Sequence, residues 1–371
     1  MASKEKLNFG VVGACGRGRA FRSALQEIDA VHVRAVCDTN EGALEETREF
    51  LGAEQKYTDY DEMLRKADLD VVIVATPMHL HVPLSLPALA LGMHVVCEVP
   101  ACVSVDEAKE LVAACRRSSG TFVMAENMIY TRPSILVTEL VRRGLFGTTY
   151  YAEGEYLHEL KEYNEMTPWR RKWQTGINGI TYGTHSLGPV LAWMPGERVT
   201  QVCCAGSGHH YKDPRGDEYE NEDSCVMLGK TTNGGLVKIR LDMLSERPHA
   251  LANHVLQGTT GAYESARAEG GRDRVWVREL HGPAHEWHDL AELEDAYLPE
   301  IWRTASEDAR SSGHGGVDHV QTIDFVKSLI EGTPPRVGIH EAMDMTLPGL
   351  VSQQSIEQGG AWLPVPDSRD W

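Results

Sequence analysis

The chain has 371 residues, a length that predicts two domains. Apolar residues make up 42% and charged residues 24%, which is typical of a globular enzyme. The formal net charge of -18 repels phosphate backbones, so no nucleic-acid partner is expected. The N-terminal residues lack the apolar core of a signal peptide, and no apolar stretch is long enough to span a bilayer. We therefore expect a cytoplasmic protein without a membrane partner.

Strand-like and helix-like segments alternate over the first 127 residues. The strand-like runs are short and rich in apolar residues, at positions 7–13, 31–37, 70–76, 94–98 and 122–126. Because parallel strands need crossover connections, this alternation predicts a doubly wound parallel sheet. A capping box from Ser104 to Glu107 predicts the start of one of the helices between the strands.

The pattern changes after about Asn127. A helix is expected from Pro133 to Arg143, and the strand-like stretches that follow are longer and alternate more, at positions 150–156, 200–205, 225–231, 235–241, 254–258 and 274–279. Such alternation predicts a large, mostly antiparallel open sheet with one covered face. Residues 281–315 are polar and are expected to form loops, and residues 316–355 are expected to be helical. The predicted boundaries are 1–127 for the first domain and 128–371 for an α/β domain.

A glycine-rich turn follows the first strand. Gly13 and Gly18 occupy the first and third positions of the pattern G-x-G-x-x-G, while Cys15 takes the middle position and Gly16 comes one residue later. A turn of this kind offers backbone N–H groups to a pyrophosphate. The flanking strand and helix support a dinucleotide-binding Rossmann domain, and the alternative is an ordinary strand-to-helix turn. Arg17 stacks on adenine or contacts phosphate in this interpretation, or is a solvated residue at the helix start.

An acidic residue, Asp38, follows the second strand. Its position is 20 residues beyond Gly18, where such domains bind the adenosine ribose. A carboxylate accepts hydrogen bonds from both ribose hydroxyls and repels a 2′-phosphate. The sequence therefore predicts NAD in preference to NADP.

Two blocks in the first half resemble the Gfo/Idh/MocA oxidoreductases. Residues 70–81 (DVVIVATPMHLH) match the T-P-x-x-x-H text of that family, and residues 92–100 (GMHVVCEVP) match its G-K-H-V-x-x-E-K-P block. The resemblance covers nearly the whole chain, including residues 144–147 and the change of pattern near residue 127. It implies a Rossmann domain followed by an α/β domain with a large open sheet, with sugars or cyclitols as the usual substrates.

Two positions depart from the dehydrogenases of that family. Val99 stands where their E-K-P lysine helps to move the proton of the reacting hydroxyl, and an aliphatic side chain carries no proton. Thr181 stands where their D-x-G-x-H motif has aspartate, and Tyr182 precedes His185 by three residues. Both departures disfavour an ordinary dehydrogenase.

The same departures occur in family 109 glycoside hydrolases, NAD-dependent glycosidases first known as α-N-acetylgalactosaminidases. The blocks that resemble this branch follow its order, and they are residues 98–101 (EVPA), 125–127 (AEN), 154–161 (GEYLHELK), 169–170 (WR), 178–190 (NGITYGTHSLGPV) and 313–318 (GHGGVD). One segment agrees less well, because Glu246–His249 replaces the P-R-P-Y text of the branch. That difference leaves the identity of the substrate open.

The motifs and the resemblance together imply two sets of site residues. Contacts to NAD are expected from the glycine-rich turn, from the ends of the strands and from one later pair, namely Gly13, Cys15, Gly16, Arg17, Gly18, Asp38, Thr76, Pro77, His79, His81, Glu98, Val99, Asn127, Trp169 and Arg170. Contacts to a glycoside substrate are expected from Tyr156, Arg170, Tyr182, His185 and His249. Some have structural alternatives: His81 is alternatively a capping or loop histidine, and Trp169 a surface residue that anchors a loop.

The resemblance implies a hydrolysis that begins with oxidation of the sugar. Bound NAD takes hydride from C3 and finally returns it, so the cofactor is retained. Between these events the C3 ketone acidifies the C2 hydrogen, a base removes it, the C1 substituent is eliminated, and water adds.

Three residues are the candidate catalytic groups for this chemistry. His185 is expected to accept and return the hydroxyl proton, and its alternative is a structural histidine. Tyr156 is expected to remove the C2 hydrogen, or alternatively packs on one face of the sheet. A phenol with its ordinary pKa of about 10 is a poor base, so a neighbour must lower it, and the candidates are Lys161, Arg170 and His158. Tyr182 is expected to hold the substrate or relay a proton, or simply lines the pocket.

The sequence also bears on metals, on other functions and on partners. No group of histidines has convincing metal-ligand spacing, so no metal is expected. The main alternative function is an NAD-dependent sugar or cyclitol dehydrogenase that releases NADH, and a third is a non-catalytic protein that keeps the fold. An open sheet face usually needs a partner, so a homodimer or homotetramer is expected.

Overall fold

The apolar runs of the N-terminal part form one parallel sheet in the computed structural model. The structure describes residues 6–248, 251–268, 270–311 and 314–371, without the side chains of Asp308 and Ser311. Its strands are β1 (Leu7–Val12), β2 (Val31–Cys37), β3 (Gln55–Tyr57), β4 (Val71–Val74), β5 (His94–Cys97) and β6 (Phe122–Met124). They pair in the order β3-β2-β1-β4-β5-β6. All four residues of β4 are buried, as expected for a strand covered on both faces. The predicted doubly wound sheet is confirmed.

Helices connect these strands and cover the sheet. They are α1 (Arg22–Glu27), α2 (Glu41–Leu51), α3 (Tyr60–Lys66), α4 (His81–Ala90) and α5 (Val105–Arg117), and a 3₁₀ helix (Arg17–Phe21) precedes α1. At the start of α5 the Ser104 hydroxyl accepts the N–H of Glu107 at 3.1 Å. The Glu107 carboxylate in turn accepts the N–H of Val103 at 2.9 Å. The predicted cap at Ser104 is therefore present.

The first compact unit is not one continuous segment of chain. Residues 304–343 and 368–371 belong to it together with the residues up to Asn127. Phe325 and Val326 lie in the same buried hydrophobic cluster as Phe9 and Val11, which accounts for this return of the chain. The predicted single domain boundary after residue 127 does not include this return. Hydrophobic periodicity predicts a helix but does not indicate which hydrophobic core the helix covers.

The second unit, residues 128–303 and 344–367, contains a nine-stranded sheet. Its strands are β7 (Thr149–Leu157), β8 (Val199–Gly206), β9 (Cys225–Thr231), β10 (Leu236–Asp242), β11 (Leu251–Gly258), β12 (Gly261–Glu264), β13 (Arg274–Val277), β14 (His288–Asp289) and β15 (Leu363–Pro364). The order is β14-β13-β12-β11-β7-β10-β9-β8-β15, in which only β7 and β10 pair in parallel. The predicted mostly antiparallel sheet is confirmed.

The remaining helices differ in part from the prediction. They are α6 (Arg132–Arg142), α7 (Lys161–Met166), α8 (Pro168–Trp173), α9 (Thr184–Ala192), α10 (Arg278–His281), α11 (Glu294–Tyr297), α12 (Glu300–Arg303), α13 (Glu307–Ser311), α14 (Val317–Glu331) and α15 (Ile339–Glu357). The prediction of loops for residues 281–315 is wrong where β14 and α11 to α13 lie, because elements of two to five residues are too short to show periodicity. The helical tail is divided between α14 and α15, where Pro334 and Pro335 disfavour a continuous helix.

Helix α9 packs closely against strand β7, and a glycine permits the approach. A Cβ atom on Gly154 would lie 2.7 Å from the backbone oxygen of Ser186 and 2.8 Å from its Cβ. Gly154 and Tyr156 are two residues apart on β7 and therefore face the same side of the sheet. This packing brings the start of α9, including His185, to the side of β7 that Tyr156 faces.

Candidate active site

Two glycines of the N-terminal turn are required by the packing of the protein itself. Gly13 has φ +77°, and a Cβ atom there would lie 2.5 Å from the backbone oxygen of Ala75. A Cβ atom on Gly18 would lie 2.8 Å from a methyl group of Val11 and 2.9 Å from the backbone oxygen of Gly13. The turn therefore folds tightly onto β1 and the end of β4.

Gly16 lies in the same turn but in open space. No atom lies within 4 Å of the position that its Cβ would take. Among the described residues, no backbone group accepts a hydrogen bond from the N–H of Gly16. Exposed N–H groups beside a glycine are what a pyrophosphate requires, so this part of the turn fits a dinucleotide.

Asp38 closes the turn from the end of β2. Its carboxylate accepts the N–H of Cys15 at 2.8 Å and the N–H of Asn40 at 2.9 Å, one on each oxygen. Each carboxylate oxygen has a second lone pair, so hydrogen bonds from ribose hydroxyls remain compatible with this arrangement. Burial raises the pKa of the Cys15 thiol, and the charge of Asp38 raises it further. Cys15 is therefore a neutral packing residue at the middle position of the glycine pattern.

Polar atoms without partners lie at the carboxyl edge of the first sheet. The hydroxyl of Thr76, which follows β4, is buried and has no partner among the described residues. The same holds for the side-chain oxygen of Asn127, which follows β6. Buried polar atoms normally find partners, and ligands of doubly wound sheets bind at this edge. These two atoms, together with Gly16, fit a bound NAD, and Pro77 and His79 lie next to Thr76 in the chain.

His81 lies deeper than a ligand contact requires. Its side chain is only 1% exposed, and burial lowers the pKa of its imidazole. Nδ1 lies 2.7 Å from the backbone oxygen of Pro100, and Nε2 lies 3.0 Å from that of Thr76. The ring thus supports the loops that carry Thr76 and Val99, a geometry that favours the structural alternative over direct contact with NAD.

Arg17 is held in an ion-pair network within the first unit. Its two terminal nitrogens donate to the two oxygens of Asp318 at 2.8 Å each, and its Nε donates to Glu98 at 2.8 Å. Asn127 and His314 also contact the Asp318 carboxylate, at 3.1 and 3.0 Å. All three guanidinium nitrogens of Arg17 thus donate to Glu98 or Asp318. The expected contact of Arg17 with adenine or phosphate stays a prediction. Asp318 had no predicted role, although it ends the block at residues 313–318 that marks the resemblance.

The network fixes the ionisation of its members. Burial alone raises the pKa of the Asp318 carboxyl, but hydrogen bonds and charges from His314 and Arg17 outweigh burial and hold the pKa well below its usual range. Burial opposes the charge of Arg17, yet Glu98 and Asp318 raise the pKa of its guanidinium above the ordinary value. The pair is therefore ionised at neutral pH.

Four rings meet in the second unit, and we call Tyr156, His158, Tyr182 and His185 the ring cluster. The ring centroids of Tyr156 and His185 are 5.3 Å apart, and Tyr182 lies 5.6 Å from Tyr156 and 5.5 Å from His185. Tyr156 is 6% exposed, whereas the other three are half-buried. The three residues predicted to be catalytic thus lie together, with Tyr156 on β7, His185 at the start of α9 and Tyr182 in the turn before α9.

One of the three candidate neighbours of Tyr156 contacts its hydroxyl group. The hydroxyl lies 3.0 Å from Nδ1 of His158. Lys161 instead donates to the backbone oxygen of Leu244 at 2.7 Å, and its amine lies over the ring of Tyr211. Arg170 donates to Gln174 at 2.6 Å. The described contacts therefore single out His158 as the partner of the Tyr156 phenol.

Trp169 and Arg170 are both on helix α8. The guanidinium carbon of Arg170 lies 4.4 Å from the centroid of the Trp169 ring and 4.7 Å from that of Tyr163. Its Nε is buried without a partner among the described residues, so it remains a donor for a ligand. The roles of both residues in binding cofactor or substrate stay predictions.

The positions that depart from the dehydrogenase pattern are buried. Val99 is 5% exposed and Thr181 is also 5% exposed. The Val99 side chain is aliphatic, so it neither donates nor accepts a proton.

His249, expected to contact substrate, lies outside the described residues.

Comparison with known proteins establishes the family. The model of the oxidoreductase family with an NAD-binding Rossmann fold matches residues 7–126. The model of the glycosyl hydrolase 109 C-terminal domain matches residues 130–370. The chain belongs to glycosyl hydrolase family 109. It is an enzyme of this family with the Gfo/Idh/MocA oxidoreductase fold, as the resemblance implied.

Individual relatives agree with this assignment, and a crystal structure supports the fold. A family 109 protein of Saccharopolyspora erythraea is 30% identical, over 98% of this chain and 83% of the relative. A protein of Shewanella oneidensis named alpha-N-acetylgalactosaminidase is 28% identical, over 98% of this chain and 85% of the relative. The crystal structure of the WlbA dehydrogenase from Bordetella pertussis in complex with NADH and UDP-GlcNAcA has a TM-score of 0.79, with 22% identity over 99% of both chains. At that identity it supports the fold alone.

Neither a clustered set of metal ligands nor a helix able to cross a membrane is found in the described part of the chain. No group of three or more His, Cys, Asp or Glu residues there is placed to hold a metal ion. No helix there combines the length and apolar character needed to cross a membrane. The cytoplasmic location stays a prediction.

The lowered pKa of the Asp318 carboxyl predicts how its substitution changes the free energy of unfolding. We expect Asp318→Asn to destabilise the fold by about 3–5 kcal/mol near neutral pH, because it leaves the Arg17 charge inside the protein with one carboxylate fewer. A carboxyl group whose pKa is lowered on folding stabilises the fold above its unfolded pKa of about 4, and this contribution is lost as the pH falls through the folded value. The difference in free energy of unfolding between wild type and variant should therefore be smaller at about pH 3 than at about pH 5.

Urea unfolding at the two pH values measures this difference. The matched control is Asp106→Asn, because Asp106 is exposed on the first turn of α5 and contacts only Lys109 among the described residues. We expect that substitution to change the free energy of unfolding little at either pH. A wild-type advantage over Asp318→Asn that grows on acidification would contradict a lowered pKa for the Asp318 carboxyl.

Proposed function

We propose that this enzyme is an NAD-dependent glycosidase that cleaves a glycoside through transient oxidation at C3, deprotonation at C2, elimination, addition of water and re-reduction. The observation that carries the proposal is the ring cluster, in which the Tyr156 hydroxyl lies 3.0 Å from His158 and both lie beside His185 and Tyr182. Elimination from C2 needs a second base besides the group that handles the C3 hydroxyl, and the cluster contains candidates for both.

The cofactor and its binding residues supply the redox part. When bound, NAD would supply reversible hydride transfer at C3, so the proposed reaction would involve no net oxidation. Gly16 and the N–H groups of the turn would hold the pyrophosphate, and Asp38 the adenosine ribose. Thr76 and Asn127 offer polar atoms without described partners at the carboxyl edge of the sheet.

His185 handles the proton of the C3 hydroxyl. A neutral imidazole can accept a proton from a hydroxyl group and give it back, as a general acid–base group does. The ring is half-buried and therefore has an open side for a substrate. Its backbone oxygen lies 3.3 Å from Nε2 of His254, which helps to fix the start of α9.

Tyr156 removes the proton from C2, and His158 prepares it. When Nδ1 of His158 is unprotonated, the phenol O–H donates to it, and movement of that proton to the imidazole leaves a phenolate oxygen as the base. The main chain at His158 is held in place, because its backbone N–H donates to the backbone oxygen of Asp242 at 2.9 Å. Tyr182 and Arg170 would orient the sugar through their hydroxyl and guanidinium groups, and His249 is a further proposed substrate contact.

Val99 distinguishes this proposal from an ordinary dehydrogenase. A dehydrogenase of the broader fold family would use a lysine at this position to move the hydroxyl proton, and valine has no such group. The alternative function nevertheless makes a different prediction, since a dehydrogenase releases NADH in proportion to the sugar oxidised. Measuring NADH together with the released aglycone therefore separates the two functions.

Hydrolysis in deuterated water tests the elimination. We expect p-nitrophenyl glycosides, with an α-N-acetylgalactosaminide in the panel, to release nitrophenol without stoichiometric accumulation of NADH absorbance. The proton removed from C2 exchanges with solvent before it is returned, so the product sugar should carry deuterium at C2. Nitrophenol release with no deuterium at C2 would rule out elimination, and stoichiometric reduction of NAD by a free sugar would support the dehydrogenase.

Substitution of Tyr156 tests the identity of the second base. We expect Tyr156→Phe to lower kcat by about 10²–10⁴-fold and to abolish deuterium exchange at C2, because the phenyl ring keeps the packing but lacks the oxygen. His158→Phe should lower kcat in the same direction, since the phenol loses the partner that accepts its proton. Both effects are measured by nitrophenol release and by mass spectrometry of the sugar.

The matched control for Tyr156 is another tyrosine of the same strand. Tyr150 lies near the start of β7 and is 48% exposed, so Tyr150→Phe removes a hydroxyl outside the ring cluster. We expect this variant to retain wild-type kcat and C2 exchange. If Tyr156→Phe behaved like Tyr150→Phe, Tyr156 would not be the base.

The oligomeric state is a further proposal. Val226 of β9 and Trp362 are both exposed, at 38% and 41%, and the amine of Lys230 of β9 lies over the Trp362 ring. Exposed apolar residues on a sheet favour association, and we propose a homodimer or homotetramer. Light scattering at several protein concentrations measures the mass directly, and a monomer at every concentration would contradict this proposal.

A further inference from the structure

A single carboxylate joins three segments at the carboxyl edge of the first sheet. Asp318, on α14, has a side chain only 2% exposed. It accepts two hydrogen bonds from Arg17 at 2.8 Å each and one from Asn127 at 3.1 Å, and it contacts His314 at 3.0 Å. Arg17 belongs to the glycine-rich turn and Asn127 follows β6, so the carboxylate fixes groups from both.

The carboxylate determines which way the Asn127 amide faces. An ionised carboxylate only accepts hydrogen bonds, so the NH₂ group of Asn127 must face Asp318. The amide oxygen is then directed elsewhere. Asn127 is only 4% exposed, and this oxygen is buried without a partner among the described residues. This oxygen needs a hydrogen-bond donor that the described residues do not provide.

Strand order indicates which end of a dinucleotide meets Asn127. In the sheet, β2 is four places from β6, and neighbouring strands lie ~4.8 Å apart, so the two strands are about 19 Å apart. Asp38 follows β2 and would hold the adenosine ribose. A dinucleotide that starts at Asp38 and extends across the sheet edge therefore brings its nicotinamide end towards Asn127. The carboxamide NH₂ of nicotinamide is a donor of the required kind.

We propose that Asp318 is a positioning residue for the nicotinamide end of NAD, acting through the amide of Asn127. It holds the amide oxygen of Asn127 ready to accept from the carboxamide. This inference rests on the cofactor part of the proposed function and is independent of the sugar chemistry.

Comparison of two ligands tests the proposal on the full chain freed of nucleotide. We expect Asp318→Asn to weaken NADH binding by about tenfold, because Arg17 and Asn127 then compete for one oxygen and the Asn127 amide loses its fixed orientation. ADP-ribose lacks nicotinamide, and its affinity should change by less than about threefold. Titration calorimetry gives both affinities. Equal losses for the two ligands, or no loss for NADH, would overturn the proposal.

A double-substitution cycle separates positioning from general damage. Asn127→Ala should show the same selective loss for NADH, and adding Asp318→Asn to it should cause no further selective loss. A full additional loss would mean that Asp318 does not act through Asn127. If Asp318→Asn does not fold, as judged by circular dichroism, Asp318→Glu replaces it, since it keeps the charge that pairs with Arg17 but shifts the carboxylate away from Asn127.

A matched control removes a buried hydrogen bond elsewhere in the same unit. The Tyr60 hydroxyl donates to the backbone oxygen of Leu84 at 2.7 Å, and Tyr60→Phe deletes this bond. We expect a lower Tm with an unchanged ratio of NADH to ADP-ribose affinity. A wild-type chain that binds neither ligand would overturn both this inference and the proposed cofactor, whereas NADH binding without glycoside cleavage would overturn only the glycosidase.

Discussion

The absence of a side chain at Gly154 is the constraint on which the ring cluster depends. The backbone of Ser186 lies so close to Gly154 that a Cβ atom there would overlap it. Without this approach, α9 would sit higher above β7 and His185 would move away from Tyr156. The proposed sugar-binding arrangement therefore depends on the packing of a helix on a strand at a residue that has no side chain.

A buried carboxylate plays the corresponding part in the first unit. Asp318 comes from a segment almost 200 residues after Asn127, yet it belongs to the same unit and holds both Arg17 and Asn127. A buried charge is tolerated only where donors surround it, and here Arg17 and Asn127 are among those donors. The return of the chain to its first unit thus completes an ion-pair network begun by the N-terminal residues.

Much of this organisation follows from the sequence, and the rest depends on distances between segments. The parallel and antiparallel sheets were predictable because runs such as Val71–Val74 and the alternation in β9 reflect burial on two faces or one. Tyr156, Tyr182 and His185 were identified from motif text. The return of residues 304–343 to the first unit and the pairing of Asp318 with Arg17 were not predictable from the sequence. Periodicity gives no information about contacts between residues that are distant in sequence. His158 was one of three candidates, since only coordinates show which side chain meets the phenol.

The placement of these groups explains why losing a lysine at position 99 need not abolish proton transfer. A buried valine there leaves the first unit without that ionisable group. In the other unit, Tyr156 on β7 lies beside His158, which directly follows β7, and beside His185 at the start of α9. A single lysine moves one proton at a hydroxyl, whereas elimination requires a proton to leave carbon as well. In the proposed reaction two neighbouring bases divide these tasks, and bound NAD would serve to make the C2 hydrogen acidic until the hydride is returned. On this argument the valine is part of a change from net oxidation to bond cleavage.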